Sequence, residues 1–158
     1  MSEVEVTIHI DAPAGRVWEL IGDPTRMGEW SPECRRVEWA GDATGPRLEA
    51  RFRGHNRQGW RSWTTTGTIV RYEAGREIAW DVGMVGFAVA HWGYRIDPAP
   101  GGEACTVVES FRDRRGSLLQ ALGPVGRGVK DVDAHNRAGM EQTLGRIKAA
   151  AEAVPAGN

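Results

Sequence analysis

Glu109 is the side chain best placed for acid–base chemistry. It lies in a period-2 segment in which Val107, Glu109 and Phe111 share one strand face. If that face is interior, the carboxyl group points into a cavity. Desolvation there raises its pKa toward the range that a general acid or base needs at neutral pH. The alternative is a structural salt bridge across the sheet to an arginine such as Arg95 or Arg51.

The end of the chain supplies two further polar candidates. At a helical period, one apolar stripe contains Val129, Met140, Leu144, Ile147 and Ala151. Asp133 and Asn136 fall inside the stripe, where a buried polar group needs a partner such as a substrate carbonyl or hydroxyl. Alternatively, the start of this helix extends past the sheet and Asp133 pairs with an arginine. His135 falls on the solvent side and is not predicted to be catalytic.

Tryptophan is frequent, with seven residues in a chain of 158. Spread over a curved sheet, such large rings favour the wall of an internal cavity. The predicted wall contains Trp30, Trp63, Trp80, Trp92, Phe111, Met140 and Leu144. Tyr94 shares a strand face with Trp92, and its hydroxyl either donates to a ligand oxygen or is satisfied by a backbone carbonyl. The expected pocket volume is on the order of a few hundred Å³.

Residues 51–63 combine arginine, aromatic and glycine side chains. One interpretation is a loop at the cavity mouth whose Arg57 and Arg61 clamp an anionic group. The alternatives are a hairpin with solvated arginines and a nucleic-acid surface, the latter disfavoured by a net charge of −1. Glu33 lies where the first helices meet the sheet and is a further acid–base candidate.

The elements that must position these side chains follow from periodicity and turn residues. Alternating apolar residues predict a strand near residues 4–10, and Pro13 opens the first of two short helices, the second ending near Trp30. Further strands are predicted at about 34–41, 46–55, 60–72, 76–83, 87–98 and 104–112, with a turn at residues 54–56. Short connections imply antiparallel neighbours. The terminal helix is predicted over about 125–153, in the concave face of the sheet.

Composition is that of an ordinary globular protein, 41% hydrophobic and 26% charged. We expect one domain over residues 1–154 and a disordered tail at 155–158. Cys34 and Cys105 lack the spacing of a metal or redox site, and the four histidines form no i,i+4 pair. Without these patterns or a nucleotide-binding glycine motif, no metal and no cofactor are predicted. The sequence shows no signal-peptide pattern and no membrane-spanning run, so a cytoplasmic protein is expected.

Residues 6–18 (VTIHIDAPAGRVW) and 23–30 (DPTRMGEW) resemble the beginning of the START-related SRPBCC superfamily. That superfamily includes polyketide cyclase/dehydrase-like proteins and birch-pollen-allergen-like ligand and lipid carriers. Residues 72–80 (YEAGREIAW), residues 109–111 and the terminal helix extend the resemblance over nearly the whole chain. It implies an α+β helix-grip fold, in which a curved seven-stranded antiparallel sheet wraps a long C-terminal helix with a cavity between them.

Three functions fit these observations. The first is binding of a hydrophobic or aromatic small molecule without turnover. The second is a cofactor-independent polyketide cyclase or dehydratase that uses Tyr94, Glu109, Asp133 and Asn136 as its working groups. The third is an interaction module that touches protein or ribosomal RNA. The expected partner is a hydrophobic small molecule. Binding to nucleic acid and stable insertion into a membrane are not expected, and the formation of a homodimer is left as an open alternative.

Overall fold

A computed structural model describes residues 3–116 and 132–153. The strands are β1 (Glu3–Ile10), β2 (Cys34–Ala40), β3 (Arg51–Gln58), β4 (Arg61–Glu73), β5 (Glu77–Met84), β6 (Phe87–Pro98) and β7 (Cys105–Asp113). The helices are α1 (Ala14–Ile21), α2 (Met27–Trp30) and α3 (Val132–Glu152), and a 3₁₀ turn at Pro24–Arg26 precedes α2.

The seven strands form one antiparallel sheet in the order β1-β7-β6-β5-β4-β3-β2. Strands β2 to β7 are therefore a meander, as the short connections predicted. Strand β1 joins the far edge beside β7, with Val6 opposite Glu109. The N-terminal strand is therefore the direct neighbour of β7, the strand that carries Glu109.

Helix α3 packs against β1 and β7 through its apolar stripe. Met140, Leu144, Ile147 and Ala151 are all buried. The curved sheet, the two short helices after β1 and the long terminal helix confirm the predicted helix-grip fold. Val129, the predicted start of the helix near residue 125 and the tail at 155–158 lie outside the described residues.

Helix α1 begins at Ala14, one residue after the predicted first residue Pro13. Pro13 takes φ −62° at its N-cap, which suits the helical entry because the proline ring fixes that angle. Val17 and Ile21 are buried beneath the helix. Gly22 ends it, and the Trp18 ring lies so close that a Cβ on Gly22 would be 2.5 Å from it.

The turn predicted at residues 54–56 is wrong, because β3 continues through them to Gln58. Gly54 and Asn56 serve cross-strand contacts instead. A Cβ on Gly54 would lie 3.1 Å from the Thr65 hydroxyl, and the Asn56 amide donates to that hydroxyl at 3.2 Å. The chain reverses at Gly59, which takes the left-handed φ of +62° that glycine accommodates.

Candidate functional site

A cavity of about 1400 Å³ lies between the inner face of the sheet and helix α3. Its aromatic and apolar wall includes Phe52, Trp63, Trp80, Val82, Trp92, Phe111 and Met140. The volume exceeds the predicted few hundred Å³ because the cavity extends outward to the β3–β4 and β5–β6 turns, which contribute Trp60 and Val85.

The rings of the wall hold one another in place. Trp80 contacts Phe52 edge-on at a centroid distance of 5.8 Å and lies 5.8 Å from Tyr94. Trp92 and Phe111 are 4.8 Å apart. Edge-on and tilted pairs of this kind add to the energy of burial and restrict ring motion. The wall is therefore a preformed apolar surface.

Glu109 is only 2% exposed and belongs to the cavity lining. The Tyr94 hydroxyl donates to Glu109 Oε1 at 2.7 Å, whereas Oε2 has no hydrogen-bond partner in the described structure. Burial raises the pKa of Glu109 to about 8, although the hydrogen bond from Tyr94 acts to lower it. The salt bridge considered as an alternative is not formed with Arg95, which pairs with Asp97 at 3.3 Å.

Tyr94 is buried with its ring against Trp80. Burial, followed by the neighbouring charge of Glu109, raises the pKa of Tyr94 well above its ordinary value. The phenol therefore keeps its proton and acts as a donor at neutral pH. From the sequence, the expected partner of this hydroxyl was a ligand oxygen or a backbone carbonyl. In the structure the hydroxyl donates to the Glu109 carboxyl group instead.

Two more polar side chains reach the cavity with an unpaired atom. Asn136 is buried in the lining, and its Nδ2 has no hydrogen-bond partner within the part of the chain that is described. Gln58 Oε1, near the β3–β4 turn, is also buried without a partner there. Unpaired buried donors and acceptors are costly, so a bound molecule that pairs with these atoms would remove that cost.

Charged side chains surround the cavity mouth. His135 Nε2 on α3 contacts Glu33 Oε1 on the segment that follows α2, and both residues line the cavity. Arg57 and Arg61 lie on the β3–β4 hairpin at the rim. Arg57 Nε donates to the Gly59 carbonyl at 2.9 Å. Segment 51–63 thus forms the β3–β4 hairpin and contributes to the cavity lining, whereas the binding of an anionic group by Arg57 and Arg61 stays a prediction.

Two expectations for the start of α3 are wrong. Asp133 is exposed and does not line the cavity, which contradicts the expected substrate contact and fits the alternative in which the start of the helix extends past the sheet. Its charge helps to raise the pKa of Arg115, whose main stabilising contact is Asp113. His135, expected to face solvent, is half-buried against Glu33.

Two members of the predicted wall lie elsewhere. Trp30 is buried in the core, and its indole N–H donates to the Leu20 carbonyl at 3.0 Å. Leu144 packs in the same core, one turn beyond Met140, where α3 closes on the sheet. Neither residue lines the cavity. The remaining predicted wall residues, Trp63, Trp80, Trp92, Phe111 and Met140, come together there.

Phe52, Gln58 and His135 are lining residues that the sequence analysis missed. A signal for the first two was present, since Phe52, Gly54, Asn56 and Gln58 alternate on one face of β3. The turn predicted at 54–56 interrupted that pattern. His135 carried no local signal, because its partner Glu33 is 102 residues away in sequence.

The described regions also show the state of the two cysteines and the distribution of potential metal ligands. Cys34 and Cys105 are buried and free, and burial raises the pKa of the Cys34 thiol to about 11. A thiol with so high a pKa is a poor nucleophile. Residues 3–116 and 132–153 contain no cluster of three metal-ligating side chains. None of the helices described there is long and apolar enough to cross a membrane.

Solved structures share this fold across several kinds of organism. The Polyketide_cyc-like protein Cgl2372 from Corynebacterium glutamicum is 28% identical, with a TM-score of 0.54 over 95% of this chain and 85% of that one. Major latex-like protein 151 from Panax ginseng has a TM-score of 0.70 at 13% identity, over 95% and 97% of the two chains. DynU16, encoded in the dynemicin biosynthetic locus, has a TM-score of 0.64 at 16% identity, over 97% of this chain and 48% of that one.

None of the curated proteins matches this chain. A family model does, over residues 1–152, and its description is polyketide cyclase/dehydrase and lipid transport. Since the match spans almost the entire sequence, this chain is a member of the polyketide cyclase/dehydrase and lipid transport family.

Proposed function

We propose that this protein binds a hydrophobic, ring-containing small molecule in the cavity beneath α3. The observation that carries this proposal is a preformed cavity of about 1400 Å³ whose lining is mostly apolar and rich in aromatic rings, with polar side chains such as Glu109 and Asn136 among them. Ligand sites combine an apolar lining with a small number of polar groups that fix orientation. Burial of a ligand's apolar surface contributes roughly 25 cal/mol per Å² before the cost of association.

The polar groups define how the ligand is oriented. With a pKa of about 8, the Glu109 carboxyl is mostly protonated at neutral pH, so it can donate as well as accept. Asn136 Nδ2 supplies a second donor. A ligand with a neutral oxygen acceptor, such as a ketone or ether, satisfies these groups without bringing a charge into the cavity.

The comparisons support a ligand-holding role at the level of the family. The family description includes lipid transport beside cyclase and dehydrase activity, and both roles need a cavity for a largely apolar molecule. DynU16, a structural neighbour, is encoded in a biosynthetic locus for dynemicin. A hydrophobic molecule that contains rings is therefore the class of ligand we favour.

Binding can be tested with N-phenyl-1-naphthylamine, a neutral aromatic fluorophore. We expect saturable fluorescence enhancement and quenching of tryptophan emission. Met140→Trp fills the cavity with a larger side chain and is expected to weaken binding by about ten-fold or more, the loss of roughly 1.4 kcal/mol. Glu141→Trp, at the next and exposed position of α3, is the matched control. Equal affinities of the two variants would contradict binding in this cavity.

A second candidate function is favoured by one observation, the buried carboxyl of Glu109 with its pKa near 8. A buried carboxyl group of this kind can take a proton from a carbon next to a ketone and return one to oxygen. Tyr94 is a positioning residue in this scheme because its hydrogen bond orients Glu109. Cyclisation or dehydration of a poly-carbonyl chain requires such proton transfers.

Hydrogen–deuterium exchange at the α-carbon of 2-tetralone, followed by NMR, distinguishes the two functions. An enzyme of this type accelerates exchange above the buffer rate, and Glu109→Gln abolishes the acceleration while the variant still binds the fluorophore. Exchange at the buffer rate for the wild-type protein, with intact fluorophore binding, would leave ligand binding as the function and exclude this proton-transfer role.

A further inference from the structure

Four apolar side chains project into solvent around the cavity mouth. The part of the chain that is described has six exposed large hydrophobic residues, and four of them lie on or directly beside the β3–β4 and β5–β6 turns. Trp60 is 83% exposed, Val85 89% and Phe87 58%, and Met84 is also exposed. We call these four residues the apolar rim. Scattered exposed apolar residues are common on protein surfaces, but a concentrated group marks an interaction site.

Sheet topology explains why two separate turns form one rim. Strand β4 pairs antiparallel with β5, with Thr66 opposite Gly83. The turn before β4 and the turn after β5 therefore project from the same end of the sheet. All four residues of the apolar rim also line the cavity. The apolar surface and the entrance to the cavity are consequently one region.

The conformation of Val85 indicates that its apolar side chain does not stabilise the fold. Val85 has φ +51° and Gly86 has φ +80°, as in hairpin turns that favour asparagine, aspartate or glycine at both positions. A β-branched residue is unfavourable in this left-handed region. Because the side chain is almost fully exposed, burial does not offset that cost. Neither the turn geometry nor packing within the chain accounts for valine here.

The charge beside the apolar rim is positive. The hairpin segments 56–63 and 84–89 contain Arg57 and Arg61 and no aspartate or glutamate, although the whole chain carries a net charge of −1. The Arg61 guanidinium stacks over the Trp60 ring, 4.9 Å from its centroid. An arginine over an exposed indole combines an apolar surface with a cation at one point. The local charge complements an anionic partner.

We propose that the apolar rim docks on the surface of a lipid bilayer containing anionic lipids, with the cavity mouth against the membrane. Two narrow turns can insert side chains between headgroups, and tryptophan favours that interfacial zone. Arginines beside them attract lipid phosphate and carboxylate groups. A stable protein interface needs about 800 Å² from each partner, more than four side chains on two turns present. Such docking is peripheral and reversible.

Vesicle sedimentation tests the role of the apolar side chains. We expect the protein to bind vesicles of equal parts phosphatidylcholine and phosphatidylserine, and to bind pure phosphatidylcholine vesicles more weakly. The triple variant W60S/V85S/F87S is expected to lose binding by about a hundred-fold, consistent with removing several buried apolar groups. L48S/V70S changes the other two exposed large hydrophobic residues and is the matched control. Circular dichroism shows whether each variant is folded.

The charged part of the proposal has its own variants. R57Q/R61Q is expected to weaken binding to the phosphatidylserine vesicles by about ten-fold, and added salt should do the same. Arg53→Gln, an exposed arginine on the same strand outside the two turn segments, should leave binding unchanged. If the rim variants and their controls bind vesicles alike, or if wild-type protein binds neither vesicle, the proposal is wrong.

Docking on a bilayer must also be distinguished from uptake of one lipid and from self-association. Met140→Trp obstructs the cavity without changing the apolar rim, so its vesicle binding should equal that of the wild type. Loss of vesicle binding in this variant would mean that a lipid in the cavity is responsible, which overturns the proposal. A dimer in sedimentation velocity that W60S/V85S/F87S converts to a monomer, without vesicle binding by the wild type, would assign the rim to a second copy of the chain.

Discussion

At Glu109, burial and hydrogen bonding act in opposite directions on one carboxyl group. Removal from water favours the neutral acid, while the donor from Tyr94 favours the carboxylate. Burial dominates, because only one of the two oxygens has a partner among the described residues. The proton is therefore retained in the folded protein up to a pKa near 8, compared with 4.5 for an ordinary glutamate.

This difference predicts a pH dependence of stability that Glu109→Gln should remove. Between about 4.5 and about 8 the folded state binds a proton that the unfolded state has lost. The free energy of unfolding of the wild type therefore falls as pH rises through this window, by up to about 1.4 kcal/mol per pH unit. The glutamine stays neutral, so the variant gains stability relative to the wild type as pH rises. Urea unfolding across the window measures the difference.

The control for that series is Glu103→Gln, which changes a carboxylate in an exposed loop. Its pH profile should parallel that of the wild type. Identical profiles for Glu109→Gln and the wild type would show that Glu109 titrates at an ordinary pKa in the folded state.

Tyr94→Phe should move the upper end of the same window. Without the hydroxyl, Glu109 loses the hydrogen bond that lowers its pKa, so the pKa rises further. Stability should continue to decline above the pH at which the wild-type curve levels off, and the lost bond itself costs about 1 kcal/mol. Tyr72→Phe is the matched control, since this second tyrosine lies against Trp18 away from Glu109. An upper limit at lower pH in Tyr94→Phe would contradict the assigned role of the hydroxyl.

Among the elements, β4 shows how one small residue shapes the cavity wall. A Cβ on Gly67 would lie 2.2 Å from Cζ of Phe52 on the neighbouring strand. The Phe52 ring therefore lies flat across the backbone of β4, where it contacts both Trp39 and Trp80 edge-on. Glycine at this position serves the packing of an aromatic ring.

Gly67→Ala is accordingly expected to destabilise the fold by about 1–3 kcal/mol, because the buried ring must move against its neighbours. Thermal unfolding should show a lower melting temperature, with reduced fluorophore affinity because Phe52 lines the cavity. Gly45→Ala introduces a methyl group into open space and is the matched control. A double variant, Gly67→Ala with Phe52→Leu, should recover part of the loss. Equal melting temperatures of the two alanine variants would contradict this account.

Element order was predictable because it depends on local patterns. Apolar alternation located the strands, and the 3.6-residue period located α3, since both follow from which face each residue buries. The β3–β4 turn was misplaced because Gly54 and Asn56 are typical turn residues that here pack against Thr65 on the next strand. A single sequence does not show whether a glycine is required because the backbone takes a positive φ or because a side chain would collide with a neighbouring strand.

The positions of some site residues could be predicted from the same patterns, and the positions of others could not. Glu109 and Tyr94 were placed inward by their strand faces. Trp30 and Leu144 were assigned to the wall because burial is predictable from sequence, whereas the boundary between cavity and core depends on how α3 closes on the sheet. For Asp133 two alternatives stayed open, because a helical wheel does not show at which residue a helix extends past the sheet, and the structure supports the exposed position.

For the whole molecule, the cavity mouth joins elements that are distant in sequence. Helix α3 and the segment after α2 meet there through His135 and Glu33. Among the described residues, the two hairpin turns also contribute to the cavity lining. The contact between His135 and Glu33 joins two of these lining elements, so we expect it to restrict the passage of a molecule between them.

Glu33→Gln and His135→Gln should therefore change the kinetics of ligand exchange more than affinity. Each changes one partner of the contact between Glu33 and His135 and leaves the aromatic wall intact. We expect stopped-flow release of N-phenyl-1-naphthylamine to be about five-fold faster or more, the effect of losing roughly 1 kcal/mol, with a parallel rise in the association rate. Glu29→Gln breaks the exposed pair with Arg26 and is the matched control. Release as slow as in this control would show that the mouth opens elsewhere, and a large loss of affinity with an unchanged association rate would place Glu33 and His135 in contact with the ligand.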